Sequence, residues 1–305
     1  MIYTVTLSPS IDYIVRLSNM RFNVTNRTDS EEFYFGGKGL NVSQVLAELD
    51  LDSTALGFIA GFTGDAIEKG IKNSRIRTDF IRLSEGFTRI NIKIKAGGET
   101  EVNGQGPDIP EEALEALMKK LDAIRDGDTL VLAGSIPKTC PDDVYERMLE
   151  RVKDRDIMIV VDATKQLLVN SLACHPFVIK PNRLELSEIF HAEVETDKDV
   201  EKYARKLQEM GARNVIVSLG RKGAFLLDEN GETHTCGVLK QPVLNTVGAG
   251  DSMVAGFIAG YQKTGDYGYA LALGTACGNA TAFSDCLATR KKIDDALRML
   301  GFNPF

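Results

Sequence analysis

Residues 129–161 read TLVLAGSIPKTCPDDVYERMLERVKDRDIMIVV. The two ends, Thr129–Ala133 and Ile157–Val161, are continuous apolar runs of strand length. Between them Val144, Met148 and Val152 recur at helical spacing. A strand apolar on both faces needs cover on both faces, and a helix between two such strands returns the chain parallel to its start. The stretch therefore predicts a parallel sheet between two helical layers.

The alternation extends outward in both directions. Upstream, Ile2–Leu7 reads as a strand and Leu40–Leu49 as a helix with Val42, Val45, Leu46 and Leu49 on one side. Pro110–Arg125 reads as a helix whose apolar stripe is Leu114, Leu117, Leu121 and Ile124. Downstream come a strand at Phe177–Ile179, a helix from Asn182, a helix over Val200–Met210 and a strand at Val215–Val217. Two regions break the rhythm. Residues 11–35 and 87–104 read as strands with no helix between, and Thr88–Lys95 (TRINIKIK) alternates apolar and polar side chains after Arg89. That period belongs to a sheet with one exposed face, so these regions are expected to form a small β-sheet lid over the larger α/β body.

Composition narrows the class. The chain has 305 residues, 43% of them apolar and 26% charged, with a net charge of −7. An acidic average surface disfavours non-specific nucleic-acid binding and leaves anion recognition to particular cations. The five cysteines show no CxxC spacing and the three histidines form no cluster, which fits reduced thiols in a cytoplasmic protein and no zinc site. No apolar run reaches membrane-spanning length, and the start of the chain reads as a strand and a turn, not as a signal peptide.

Five stretches carry chemistry. Asn245–Gly260 (NTVGAGDSMVAGFIAG) is a glycine turn running into an apolar helix. The first amides of such a helix lack intrahelical partners and, with the helix dipole, make an anion site. Asp251 falls in its first turn. Read alone it is as well explained as a helix-capping residue as by a base that takes a proton from an attacking hydroxyl. Phe35–Asn41 (FGGKGLN) puts bare backbone, a cation and an amide before a helix and is not a Walker A loop; a tight turn with a solvated lysine explains it too. In Lys180–Glu185 (KPNRLE), Asn182 and Glu185 have capping-box spacing, and also the oxygens to order water around Mg²⁺. Val217–Gly223 (VSLGRKG) takes a strand end into a glycine turn, where open α/β sheets bind ligands; on its own an ordinary β-turn explains it as well or better. Ser8–Asp12 (SPSID) ends the first strand on the same edge, with Asp12 either a sugar ligand or a turn residue.

In this order, SPSID, GGKGLN, KPNRLE, SLGRKG and TVGAGD resemble the PfkB, or ribokinase-like, family of carbohydrate kinases over essentially the whole chain. The resemblance implies one ribokinase-like domain over residues 1–305, a Rossmann-type three-layer α/β/α fold with a small β-sheet lid, often used to form a homodimer. It makes Asp251 the catalytic base and the backbone of Gly248, Ala249 and Gly250 the anion hole. ATP would bind at Lys180, Ser218, Gly220, Gly223 and Asn279, with Mg²⁺ held through water by Asn182 and Glu185. Asp12, Gly37 and Asn41 would hold sugar hydroxyls. Within the family the chain looks closest to phosphosugar kinases: Lys38 replaces a third glycine, Thr88–Asn91 (TRIN) sits in the lid, and Glu99–Pro107 (ETEVNGQGP) follows. Lys38 and Arg89, with Arg27 a further candidate, would bind the phosphate already on the substrate, and Ser135 matches a sugar-site position. The expected substrate is fructose 1-phosphate, phosphorylated at its 6-hydroxyl, with tagatose 6-phosphate or fructose 6-phosphate as alternatives. A non-catalytic sugar-phosphate sensor would be expected to lose Asp251 or the glycines beside it. No nucleic-acid or membrane partner is expected.

Overall fold

A computed structural model describes residues Met1–Phe305. The chain opens with β1 (Ile2–Thr6), β2 (Ser10–Arg16), β3 (Ser30–Gly36), α1 (Lys38–Glu48), β4 (Ser53–Ala60), α2 (Gly61–Gly70), β5 (Ile76–Thr78) and β6 (Ile81–Leu83). Next come β7 (Arg89–Lys95), β8 (Glu99–Asn103), α3 (Glu111–Leu121), β9 (Thr129–Ala133), α4 (Val144–Val152) and β10 (Met158–Asp162). The remainder is α5 (Lys165–Ser171), β11 (Val178–Ile179), α6 (Arg183–Phe190), α7 (Asp197–Glu209), β12 (Asn214–Ser218), β13 (Ala224–Leu227), β14 (Thr233–Cys236), α8 (Ala249–Thr264), α9 (Tyr267–Ala282) and α10 (Arg290–Met299).

Neighbouring residues of the central strands enter different cores, which is why these strands are apolar without alternation. Leu130 and Leu132 of β9, Val161 of β10 and Val215 and Val217 of β12 pack with Leu114 and Leu117 of α3, Met148 of α4 and Leu207 of α7. Val131, Val160 and Ile216 face the other way, onto Val42 and Leu46 of α1, Phe257 of α8 and Leu273 of α9. The outcome is three layers, with the sheet between two sets of helices. The sheet runs β14-β13-β12-β11-β10-β9-β1-β4-β5, with β6 also on β4.

The expectation of a parallel sheet needs one correction. From β11 through β4 the pairings are parallel, but β13 and β14 are antiparallel. Only Leu219–Gly223 joins β12 to β13, far short of the dozen or more residues a parallel crossover needs. β4 is buried throughout, yet Ser53, Thr54 and Gly57 interrupt its apolar run and blunt its signal in the sequence. The expected helix from Pro110 stops at Leu121, where Ala123 and Ile124 continue in tighter turns to the carbonyls of Lys120 and Leu121.

The second sheet has the order β3-β2-β7-β8. Its register sets Asp12 opposite Tyr34 on one side and Asn91 on the other. Side chains alternate across a strand, so Ser10, Asp12, Ile14, Arg89, Asn91 and Lys93 share one face. Phe33, Tyr13, Ile92 and Val102 form a row across all four strands on the opposite face. Phe33, Ile92 and Val102 of that row are exposed.

Candidate active site

Parallel strands end on a common edge, and here that edge gathers the polar residues. Thr6 closes β1, the turn Gly134–Ser135 follows β9, Asp162 is the last residue of β10, Lys180 follows β11, and Ser218 closes β12. The amino terminus of α8 reaches the same edge from across the sheet: a side chain at Gly250 would come within 3.1 Å of the Lys180 Nζ. Asn41, in the first turn of α1, donates a 2.8 Å hydrogen bond to Asp251 Oδ2.

Two glycines are required by geometry. Gly37 precedes α1 at φ 121°, and a Cβ there would lie 2.5 Å from Thr6 Cγ2. Thr6 in turn accepts the Leu40 amide at 2.9 Å, so strand, turn and helix lock together. Gly248 caps α8 at φ 78°, and its Cβ would lie 2.5 Å from Leu287. Since Gly248 starts the helix, the amides of Gly250 and Asp251 have no hydrogen-bond partner in the protein, and Ala249 N reaches only Thr246 O at 3.3 Å. These amides form a backbone cradle for an anion. Asp251 does not cap the helix; its carboxylate is engaged by Asn41 instead.

A buried electrostatic cluster surrounds Asp251. Asp162, 2% exposed, takes Lys180 Nζ on one carboxylate oxygen and Lys38 Nζ on the other, each at 3.3 Å. Burial pushes the Asp162 carboxyl up, but Lys180 and Lys38 more than offset it and hold it below the ordinary carboxylate range. Asp251 is pushed up to about 6, by burial first and by the Asp162 charge second, with Lys38, Asn41 and Lys180 opposing. One carboxylate is thus held ionised by two lysines, while its neighbour is pushed up toward the range where a general base works best. Asp162 was not singled out from the sequence. It reads there as the polar end of an apolar strand, and only the β9-β10-β11 order puts it between two lysines.

Three cavities open around this cluster. One of about 590 Å³ is lined by Ser218, Gly220, Gly223, Thr246, Gly250 and Asn279 among others. The unpartnered side-chain amide nitrogen of Asn279 is buried at this cavity. A second, of about 200 Å³, brings Arg89 together with Ser135, Ser8, Gln105 and Lys138. Burial pushes the Arg89 guanidinium below its ordinary value, with Asp12 opposing, and its Nε has no partner. A third, of about 370 Å³, is lined by Asp12, Asn41, Gln44 and Lys93 between β2 and α1.

The sequence candidates divide as follows. Asp12 lies inside β2, not in a turn. Lys38 is paired with Asp162 and runs beside Gly134, whereas Arg89 lines the separate 200 Å³ cavity. Asn182 and Glu185 form a complete capping box at α6: Asn182 Oδ1 accepts the Glu185 amide at 2.8 Å and Glu185 Oε2 accepts the Asn182 amide at 2.7 Å. That leaves Glu185 Oε1 free, and its charge acts on Lys38. Arg27 is not brought to the cluster within this chain. It follows the β2 end that pairs Arg16 with Ser30, whereas Gly36 pairs with Ser10 at the site; the strand between spans roughly 20 Å.

The family described as pfkB family carbohydrate kinase matches residues 5–288. A 1-phosphofructokinase of Bacillus subtilis is 42% identical over 297 residues, 97% of each chain. A D-tagatose-1-phosphate kinase of Bacillus licheniformis is 36% identical, covering 96% of each chain. Among solved structures, phosphofructokinase-2 from Escherichia coli in complex with substrates and products superposes with a TM-score of 0.93 at 25% identity, over 99% of each chain.

Proposed function

The chain belongs to the pfkB family of carbohydrate kinases, and from that premise we propose that it transfers the γ-phosphoryl group of ATP to the 6-hydroxyl of fructose 1-phosphate, releasing fructose 1,6-bisphosphate and ADP. The observation that carries the reading is Asp251: a buried carboxyl pushed up to about 6, next to the free amides of Gly250 and Asp251.

In this reading Asp251 takes the proton of the 6-hydroxyl as that oxygen bonds to the γ-phosphorus and the bond to the ADP oxygen breaks. The amides from Gly248 to Asp251 hold the oxygens of the transferred group, where negative charge gathers. Lys180 and Lys38, each paired with Asp162, add cationic field at the same place. Ser218, Gly220, Gly223 and Asn279 bind the nucleotide. Asp12, Gly37 and Asn41 hold the sugar, and Arg89 and Ser135 bind its existing phosphate, a group that suits the guanidinium fork. Mg²⁺ fits the donor set. The ion keeps several waters and takes one or two carboxylates, and Glu185, capping α6 with one oxygen, has the other free beside Asn182. When bound it would neutralise phosphate charge.

One domain with the small sheet as its lid, and a homodimer through the outer face of that sheet, complete the proposal. The row Phe33, Tyr13, Ile92 and Val102 is an apolar stripe of the kind that a second copy covers. No helix is long and apolar enough to cross a membrane. Five free cysteines suit the reducing cytoplasm.

A second reading takes a tagatose phosphate, supported by the 36% identical tagatose-1-phosphate kinase. ADP release measured across fructose 1-phosphate, fructose 6-phosphate, tagatose 1-phosphate and tagatose 6-phosphate separates them. Fructose 1-phosphate should give the highest kcat/KM; a higher value for either tagatose phosphate transfers the assignment to the second reading.

A further inference from the structure

Asn91 is nine-tenths buried and only half satisfied. Its side-chain nitrogen donates to Asp12 Oδ1 at 2.8 Å, while its side-chain oxygen is buried with no partner. The amide can be oriented in only one way, because a carboxylate accepts and does not donate. β2 and β7 pair in parallel with Asp12 directly beside Asn91, so the contact is set by register, not by a flexible loop.

Asp12 shows what this contact accomplishes. Ser10 Oγ donates to the same Oδ1 at 2.9 Å. Two donors therefore fill one carboxylate oxygen. The other, Oδ2, has only Lys93 Nζ at 4.0 Å, beyond hydrogen-bond range. Asp12 also lines the cavity that holds Asn41. An orphaned buried acceptor costs stability, and such atoms are rare in folded proteins.

We propose that Asn91 is a sugar-positioning residue: its amide nitrogen fixes Asp12 so that Oδ2 is offered to the substrate, and its unpaired amide oxygen accepts a hydrogen bond from a hydroxyl of the bound ketose phosphate. The two acceptors, on adjacent strands, suit a diol. This inference rests on the reading that Asp12 holds the sugar.

The test is steady-state kinetics of Asn91→Ala, Asn91→Asp and Ser10→Ala, on whichever ketose phosphate the wild type uses best. Asn91→Ala should raise the KM for that sugar phosphate by roughly 10- to 100-fold, the range for losing a hydrogen bond to a charged group, with the KM for ATP changed less than about twofold. Asn91→Asp, which sets a second carboxylate against Asp12, should be at least as damaging. Ser10→Ala should act in the same direction and remains informative if the Asn91 variants fold poorly by circular dichroism. In an Asp12→Ala background the effect of Asn91→Ala on sugar KM should shrink clearly, as coupled residues require, and keep only the part due to the direct contact with the hydroxyl. An unchanged sugar KM in folded Asn91→Ala, a parallel rise in the KM for ATP, or full additivity with Asp12→Ala overturns the proposal. If Asp12→Ala itself leaves sugar KM unchanged, the role of Asp12 fails and the proposal falls with it. A different preferred ketose phosphate corrects the substrate and leaves the Asn91 test standing.

Discussion

Asn41 and Asp251, 210 residues apart in sequence, are joined by a 2.8 Å hydrogen bond from the Asn41 amide to Asp251 Oδ2. The bond ties the first turn of α1 to the first turn of α8 and stabilises the ionised carboxylate against burial and the Asp162 charge.

The pH dependence follows from it. Asp251 must be ionised to accept a proton, so kcat/KM should fall on the acid side with a midpoint at about 6. Asn41→Leu removes a donor to the charged form and should move that limb upward by about one unit, since a hydrogen bond to a charged group contributes roughly 1.5 kcal/mol or more and one unit is about 1.36 kcal/mol. A pH–rate profile in which the limb stays in place would dissociate Asn41 from the base.

Asp162 should act on the same limb with the opposite sign. Its charge raises the Asp251 pKa, so Asp162→Asn should shift the acid limb downward. It also leaves Lys180, 8% exposed, without its partner. Breaking a buried pair costs about 3 kcal/mol or more. Urea denaturation should therefore show a clear loss of stability at neutral pH. The wild-type contribution is present above the unfolded pKa of Asp162 and lost as pH falls through its depressed folded value, so the gap between variant and wild type should narrow in acid.

Arg89→Ala should separate the two substrates. Arg89 makes no ion pair within the chain and lines a cavity with Ser135. Its loss should raise the KM for the phosphosugar by roughly 10- to 100-fold, as for a charge-assisted hydrogen bond, and leave the KM for ATP nearly unchanged. An equal rise for ATP would reassign the cavity.

The outer face of the small sheet should determine assembly. Phe33→Glu places a charge in the exposed row that includes Val102. Sedimentation should show a dimer for the wild type and a monomer for the variant; two species of equal mass would remove this face as the interface.

Much of this was legible in the sequence. Continuous apolar runs such as Thr129–Ala133 signalled a sheet covered on both sides, because each of their residues meets one core or the other. Motifs at strand ends announced the edge where Lys180, Ser218 and the start of α8 meet. What local pattern could not carry was pairing across the fold. Asp162 between two lysines and Asn91 beside Asp12 exist only once strand order and register are set. The antiparallel β13–β14 hairpin depended on the length of one turn. By its position alone Asp251 fits a cap as well as a base; the resemblance favours the base, and the bond to Asn41 shows that the carboxylate does not cap α8.

The role of Asp251 can be measured with a single variant. Asp251→Asn keeps the shape and removes the base. A general base contributes about 10²- to 10⁴-fold, so kcat with fructose 1-phosphate and ATP should fall by about that factor while both substrates still bind, as read by calorimetry. The same variant should melt a few degrees higher above pH 6. The Asp251 pKa, raised from 3.8 to about 6, makes the folded state bind more protons than the unfolded one in that window, and stability is lost as pH rises through it. A kcat within a few fold of wild type would show that Asp251 is not the base.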